Sequence, residues 1–235
     1  MEYYNFLLIR KKLKKKTTTK LFYNRYLFSL NCVNPMTAIF RNKNLRWAKS
    51  VIDNMQRDYQ EGLPIYLQNK MRKKEVSVEA FNDVKTFFNE FSTTKEDYKL
   101  RCEGNSFHIY SNNKIWLKNI QKKIKCDKEF FEPDPKTIDF LKNNLNTIIV
   151  KDNKWGYKCT FNYNKVPQSF ATWIERNPDK VKITDTAIKE IKNNGWINGR
   201  VCYLKDDSIL MLCNLMASGC FNRIDKLVCR QNIDK

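Results

Sequence analysis

At 235 residues, with 42% hydrophobic and 13% aromatic residues, the chain is long enough for one large core or two small ones and too apolar to stay disordered. Its 44 Lys plus Arg against 25 Asp plus Glu give a formal charge of +19, a field that favours polyanions, either nucleic acid or an anionic membrane face. Eight scattered cysteines and a single histidine, His108, exclude a Cys2His2 or double C-x-x-C zinc site and suit a reducing, intracellular compartment better than a disulfide scaffold.

Residues 1–35 differ from the rest. Arg10, Lys11, Lys12, Lys14, Lys15, Lys16, Lys20 and Arg25 face the lone acid Glu2, and the apolar run Tyr3 to Ile9 precedes the charges, the reverse of a secretory signal. That run is also too short to span a bilayer, and the chain is expected to have no membrane span. Three readings stand side by side: a mitochondrial targeting segment, a basic arm that wraps nucleic acid, and an extension from an upstream start codon, because Met36 opens a run that already looks folded. All three predict a basic, poorly packed extension. The cytoplasm is the expected location, with the mitochondrial matrix as the alternative.

From Asn44 to Gln60 the apolar residues Leu45, Ala48, Ile52, Met55 and Tyr59 recur at helical spacing, and Gly62-Leu63-Pro64 ends the helix. A basic cluster follows, then Ser77 caps a second helix with Val78, Phe81, Val84, Phe88 and Phe91 on one face. Tyr98, Leu100 and Cys102 alternate with polar residues up to Gly104-Asn105, and Phe107 and Ile109 resume the alternation, which predicts a β-hairpin. Asn112 caps a helix with Ile115, Trp116, Ile120 and Ile124. Cys126 to Pro135 reads as a loop, and Pro135 introduces a short helix carrying Ile138, Leu141 and Leu145.

The C-terminal part predicts strands at Ile148–Val150 and Tyr157–Tyr163, and a helix after Pro167. A further helix follows Thr184 or Asp185, then a strand at Val201–Leu204, a helix after Asp206 or Asp207, and a closing strand at Phe221–Val228. The run Ile109–Leu117 echoes Tyr203–Met211 without gaps, each a strand end, two Asx residues and a helix start, a pattern that helix capping explains and that is also what a duplication leaves. The expected fold class is α+β: a two-layer sandwich of short, mainly antiparallel strands with packed helices, with a split βαβ core within residues 155–229. The expected domains are 1–35, 36–150 and 151–235, the last two separate or joined as one.

No Walker loop, G-x-S-x-G elbow or H-E-x-x-H occurs, so no catalytic residue, cofactor or metal is assigned. His108 is expected to be an exposed strand residue. Tyr157, Phe161 and Tyr163 are read as core, since no K/R-G-F/Y-type element marks a base-stacking sheet. The candidate nucleic-acid-binding residues are basic side chains interleaved with rings: Arg41, Lys43 and Arg46 with Trp47; Lys70, Arg72, Lys73 and Lys74; Lys118, Lys122 and Lys123 with Trp116; Lys154 and Lys158 with Trp155. The leading expectation is a non-enzymatic nucleic-acid-binding accessory protein acting mainly through phosphates, with little base preference, on DNA or RNA. The Lys-, Asn-, Tyr- and Phe-rich composition suits a phage, virus or organelle with an AT-rich genome. Two alternatives remain. One is an assembly subunit docking protein partners near Trp47, Phe87 or Trp196; the other is a metal-dependent nuclease using Asp152, Asp206 or Asp207.

Overall fold

The computed structural model describes residues 14–69, 72–152 and 154–233. The chain forms two compact units, one of Met1–Thr18 with Arg25–Pro133 and the other of Thr19–Asn24 with Asp134–Lys235. The boundary at Pro133 falls ahead of the expected one at residue 150.

In the first unit β1 (Lys14–Thr18) and β2 (Phe28–Val33) lead to α1 (Leu45–Gln60), a hairpin of β3 (Tyr66–Asn69) and β4 (Arg72–Glu75), and α2 (Val78–Thr93). Then come β5 (Tyr98–Glu103), β6 (Ser106–Ser111), α3 (Lys114–Lys123) and β7 (Lys128–Pro133). The caps follow from the sequence: Asn44 accepts a hydrogen bond from the Trp47 amide at 3.0 Å and Ser77 one from the Ala80 amide at 3.2 Å, each satisfying an amide that the first helical turn leaves unpaired. The main sheet runs β1-β7-β2-β6-β5, parallel at β1/β7 and antiparallel elsewhere. One face, carrying the fully buried Leu30, Phe107, Ile109 and Phe130, meets the helices; Phe87 of α2 lies edge-on to Phe107 with ring centroids 5.3 Å apart. Buried Asp83 of α2 accepts the Lys125 and Cys126 amides, both at 2.7 Å, and so ties that helix to the start of β7.

In the second unit α4 (Ile138–Asn143) and β8 (Thr147–Val150) precede β9 (Tyr157–Phe161), α5 (Gln168–Glu175), β10 (Val181–Lys182), α6 (Asp185–Lys192), β11 (Val201–Leu204), α7 (Asp207–Met216) and β12 (Phe221–Cys229). Its sheet runs β10-β11-β9-β12-β8, parallel only at β12/β8. Cys159, Phe161, Cys202, Leu204 and Cys213 are fully buried in its core, where burial and the neighbouring Cys159 push the Cys213 thiol up to about 12. Such thiols pack as small apolar groups.

The molecule is thus α+β, and the expected split βαβ core at 155–229 coincides with β9 to β12. The first unit has the same arrangement. In each, the four core strands lie in the order fourth, first, third, second, and an extra strand runs parallel to the fourth. The echo between Ile109–Leu117 and Tyr203–Met211 falls on the corresponding junction, third strand to following helix. Its structural register is one residue away from the gapless one: the caps Asn113 and Asp206 correspond, and so do the buried pairs Ile109/Cys202, Ile120/Cys213 and Ile124/Ala217.

Several expectations are corrected. Of the supposed extension 1–35, residues 26–30, Cys32 and Asn34 are buried and β2 is the middle strand of its sheet, so this part is integral; residues 1–13 lie outside the described residues. The supposed loop from Cys126 contains β7. Phe87, not Phe88, enters the core of α2, because it completes the spacing from Val84 to Phe91. Asn113 caps α3, while Asn112 accepts the Leu27 amide and donates to the Arg25 carbonyl. Tyr163 lies beyond the end of β9 and is exposed, whereas Tyr157 and Phe161 are core as expected.

Candidate nucleic-acid interface

The predicted basic residues have different fates. In the first unit, Arg41, Arg46 and Trp47 are exposed around the start of α1, with Trp47 49% accessible. Lys43 instead lies 3.8 Å above the Tyr98 ring and donates to the Tyr98 carbonyl, and burial pulls its pKa below the usual lysine value. Trp116 is core, tilted against Tyr98 at 5.3 Å, so it is no platform for a base. Lys118 sits 4.0 Å over the Phe130 ring, Lys123 pairs with Glu90 at 2.5 Å, and Lys122 is exposed. Arg72, Lys73 and Lys74 lie on β4, and Lys70 falls outside the described residues.

In the second unit the sheet face opposite the core gathers what the sequence scatters. The antiparallel registers set Lys182 of β10 beside Tyr203 of β11, Tyr203 beside Lys158 of β9, and Lys158 beside Asp225 of β12. Because side chains alternate across a strand, Tyr203 and Lys158 stand on the face opposite Cys202 and Cys159, half-buried, with Thr160 and Val201 in the next row. Asp225 is buried and receives both contacts from the Arg223 Nε at 2.8 Å; Arg223 also donates to Asn24 at 3.2 Å. Lys20 joins this cluster: burial first, then the charges of Arg223 and Lys158, pull its pKa below the usual lysine value, while Asp225 opposes them. Arg223 and Lys158 therefore stand beside one carboxylate, and Lys20 is near enough to feel the charges of all three. Lys182, Tyr203 and Arg223, which only strand pairing brings together, and Lys20, which lies outside any strand, are not among the predicted residues.

The first unit carries the same Lys–Tyr pair at the corresponding place, Lys99 beside Tyr110, three residues ahead of the cap. There, however, Tyr110 is buried and stacks at 6.2 Å on His108. His108 is also more enclosed than expected, its side chain 20% accessible; burial lowers its pKa, and Glu103, 4.0 Å away, acts against this.

Next to the second unit's sheet lies a groove of about 550 Å³. Trp155 and Lys154 form one wall, with the Lys154 ammonium 5.4 Å from the indole centroid; Ile174, Val181 and Ile183 supply apolar lining. Gly156 holds that wall in place. Its amide donates to the Leu204 and Lys205 carbonyls at 2.9 Å, and a Cβ there would meet the Lys205 carbonyl oxygen at 2.8 Å, so only glycine allows this approach.

Two of the three acids proposed for metal chemistry are used locally. Asp206 caps α7 through the Ile209 amide at 3.0 Å, Asp207 accepts the Tyr157 hydroxyl, and Asp152 is exposed. Among the described residues no group of three or more His, Cys, Asp and Glu is placed to hold a metal ion, and no helix is long and apolar enough to cross a membrane. Comparison with protein-family models, curated proteins and solved structures finds no match to this chain.

Proposed function

We propose that the chain is a non-enzymatic nucleic-acid-binding protein that holds the sugar–phosphate backbone against the sheet face of its second unit. The observation that carries this reading is the cross-strand row Lys182–Tyr203–Lys158, flanked by Arg223 and Lys20. Lysines on either side of a half-buried ring supply phosphate contacts around a flat apolar surface, the combination that binds extended strands with little regard to sequence. Asp225 serves in this reading to hold the Arg223 side chain by its Nε, whose hydrogen both carboxylate oxygens accept. The test is a fluorescence-anisotropy titration of labelled single strands across a salt series. Affinity is expected to fall steeply with salt, and the Lys158→Gln/Lys182→Gln variant to flatten the log–log slope by about 1.4, since each lost phosphate contact on a single strand removes about 0.7. No binding at low salt by micromolar protein ends the proposal.

One observation favours a second reading, self-association: Met211, Leu212 and Leu215 on one face of α7 are 68%, 38% and 75% accessible. Light scattering on the eluting protein tests it; a dimer that persists in high salt supports it, and a monomer at every concentration rejects it.

A further inference from the structure

The groove beside Trp155 differs in chemistry from the basic sheet face. Its lining is apolar at Ile174, Val181 and Ile183, with one indole wall, and its charges are of both signs: Lys154 and Lys182 against Glu175 and Asp185. Glu175 is itself bridged to Lys192 at 2.7 Å. A phosphate entering here would meet two carboxylates and lose its hydration against isoleucine, which is unfavourable on both counts. A neutral, flat heterocycle meets neither cost and gains a stacking surface. At about 550 Å³ the space also falls within the size range of small-ligand sites. Lys182 belongs to both features, since it lines the groove and stands at the end of the Lys182–Tyr203–Lys158 row. A strand whose phosphates follow that row therefore has a base within reach of the groove.

We infer that the groove receives one unpaired nucleobase, stacked on Trp155, while the adjoining lysines hold its flanking phosphates. This rests on the nucleic-acid reading above and adds to it a preference for single strands, because a base inside a duplex cannot leave its stack without a further cost.

The experiment uses the full chain with a labelled single-stranded oligonucleotide and a duplex of the same length at one salt concentration. Trp155→Ala should weaken single-strand binding by about 5- to 150-fold, as loss of one base–ring stack does, and change duplex binding less than about 2-fold. Trp155→Phe keeps a ring and the fold. It should bind single strands nearly as the wild type does, but lose most of the tryptophan quenching that the wild type shows on binding. Equal weakening on both nucleic acids, an unaltered Trp155→Ala titration, or unchanged quenching in Trp155→Phe would each overturn the inference while leaving phosphate binding intact. A wild-type protein that binds neither nucleic acid would sink both.

Discussion

Tyr157 opens β9 with its ring buried and its hydroxyl donated to Asp207 at the start of α7. That hydrogen bond first, then burial and the Asp207 charge, push its pKa up to about 12. A tyrosine whose folded pKa is raised holds its proton when the unfolded chain has released it. The resulting stability is complete below about pH 10 and is lost as pH rises from about 10 towards 12. Asp207→Ala removes both the acceptor and the charge, so the stability difference between wild type and variant, measured by urea unfolding, should shrink over that interval; parallel pH profiles would contradict this. At this scale the sequence was informative about side-chain type and silent about partners. Lys43 and Lys118 look from their neighbours like phosphate ligands, yet each lies over a ring of its own unit that is distant in sequence. Trp116 illustrates the same limit, because a ring beside lysines on a helix is also the ring that a sheet of aromatics will bury.

Helices α3 and α7 occupy corresponding places in two units of one topology, and their outer faces differ. Where α7 exposes Met211, Leu212 and Leu215, the register that matches the two caps sets Lys118, Asn119 and Lys122 on α3. The fold at that position therefore does not require apolar side chains; if α7 pairs copies, Leu215→Lys should dissociate them and leave a folded monomer whose melting temperature no longer rises with protein concentration, since Leu215 is exposed in the unit itself. Elements with strong periodicity and a cap or turn, such as α1, α2 and the β5/β6 hairpin, are legible in the sequence. Those that failed did so for local reasons. In β7 the adjacent Phe130 and Phe131 interrupt the alternation, and the buried position after Phe130 is Glu132, which pairs with Lys114 at 2.7 Å. Strand β10 has only two residues, too few for any pattern. The segment holding β2 reads as an extension because basic residues precede it, although Phe28, Leu30 and Cys32 alternate towards the core.

On the scale of the whole molecule, the unusual feature is a repeated strand order with divergent surfaces. The Lys99–Tyr110 pair of the first unit returns as Lys182–Tyr203 in the second, but Tyr110 is buried and Tyr203 is half-buried beside further cations. A net charge of +19 suggested a polyanion partner without saying where it would lie. Strand register is what converts residues 158, 182, 203 and 223 into neighbours, and register follows from pairing between segments far apart in the chain. Photocrosslinking of a single-stranded oligonucleotide to the full chain, with the attached peptides identified by mass spectrometry, reports where a bound strand lies. Crosslinks concentrated on the peptides carrying Trp155 and Tyr203 are the predicted result. Crosslinks confined to the first unit, for example at Trp47, or none at low salt, would contradict the account.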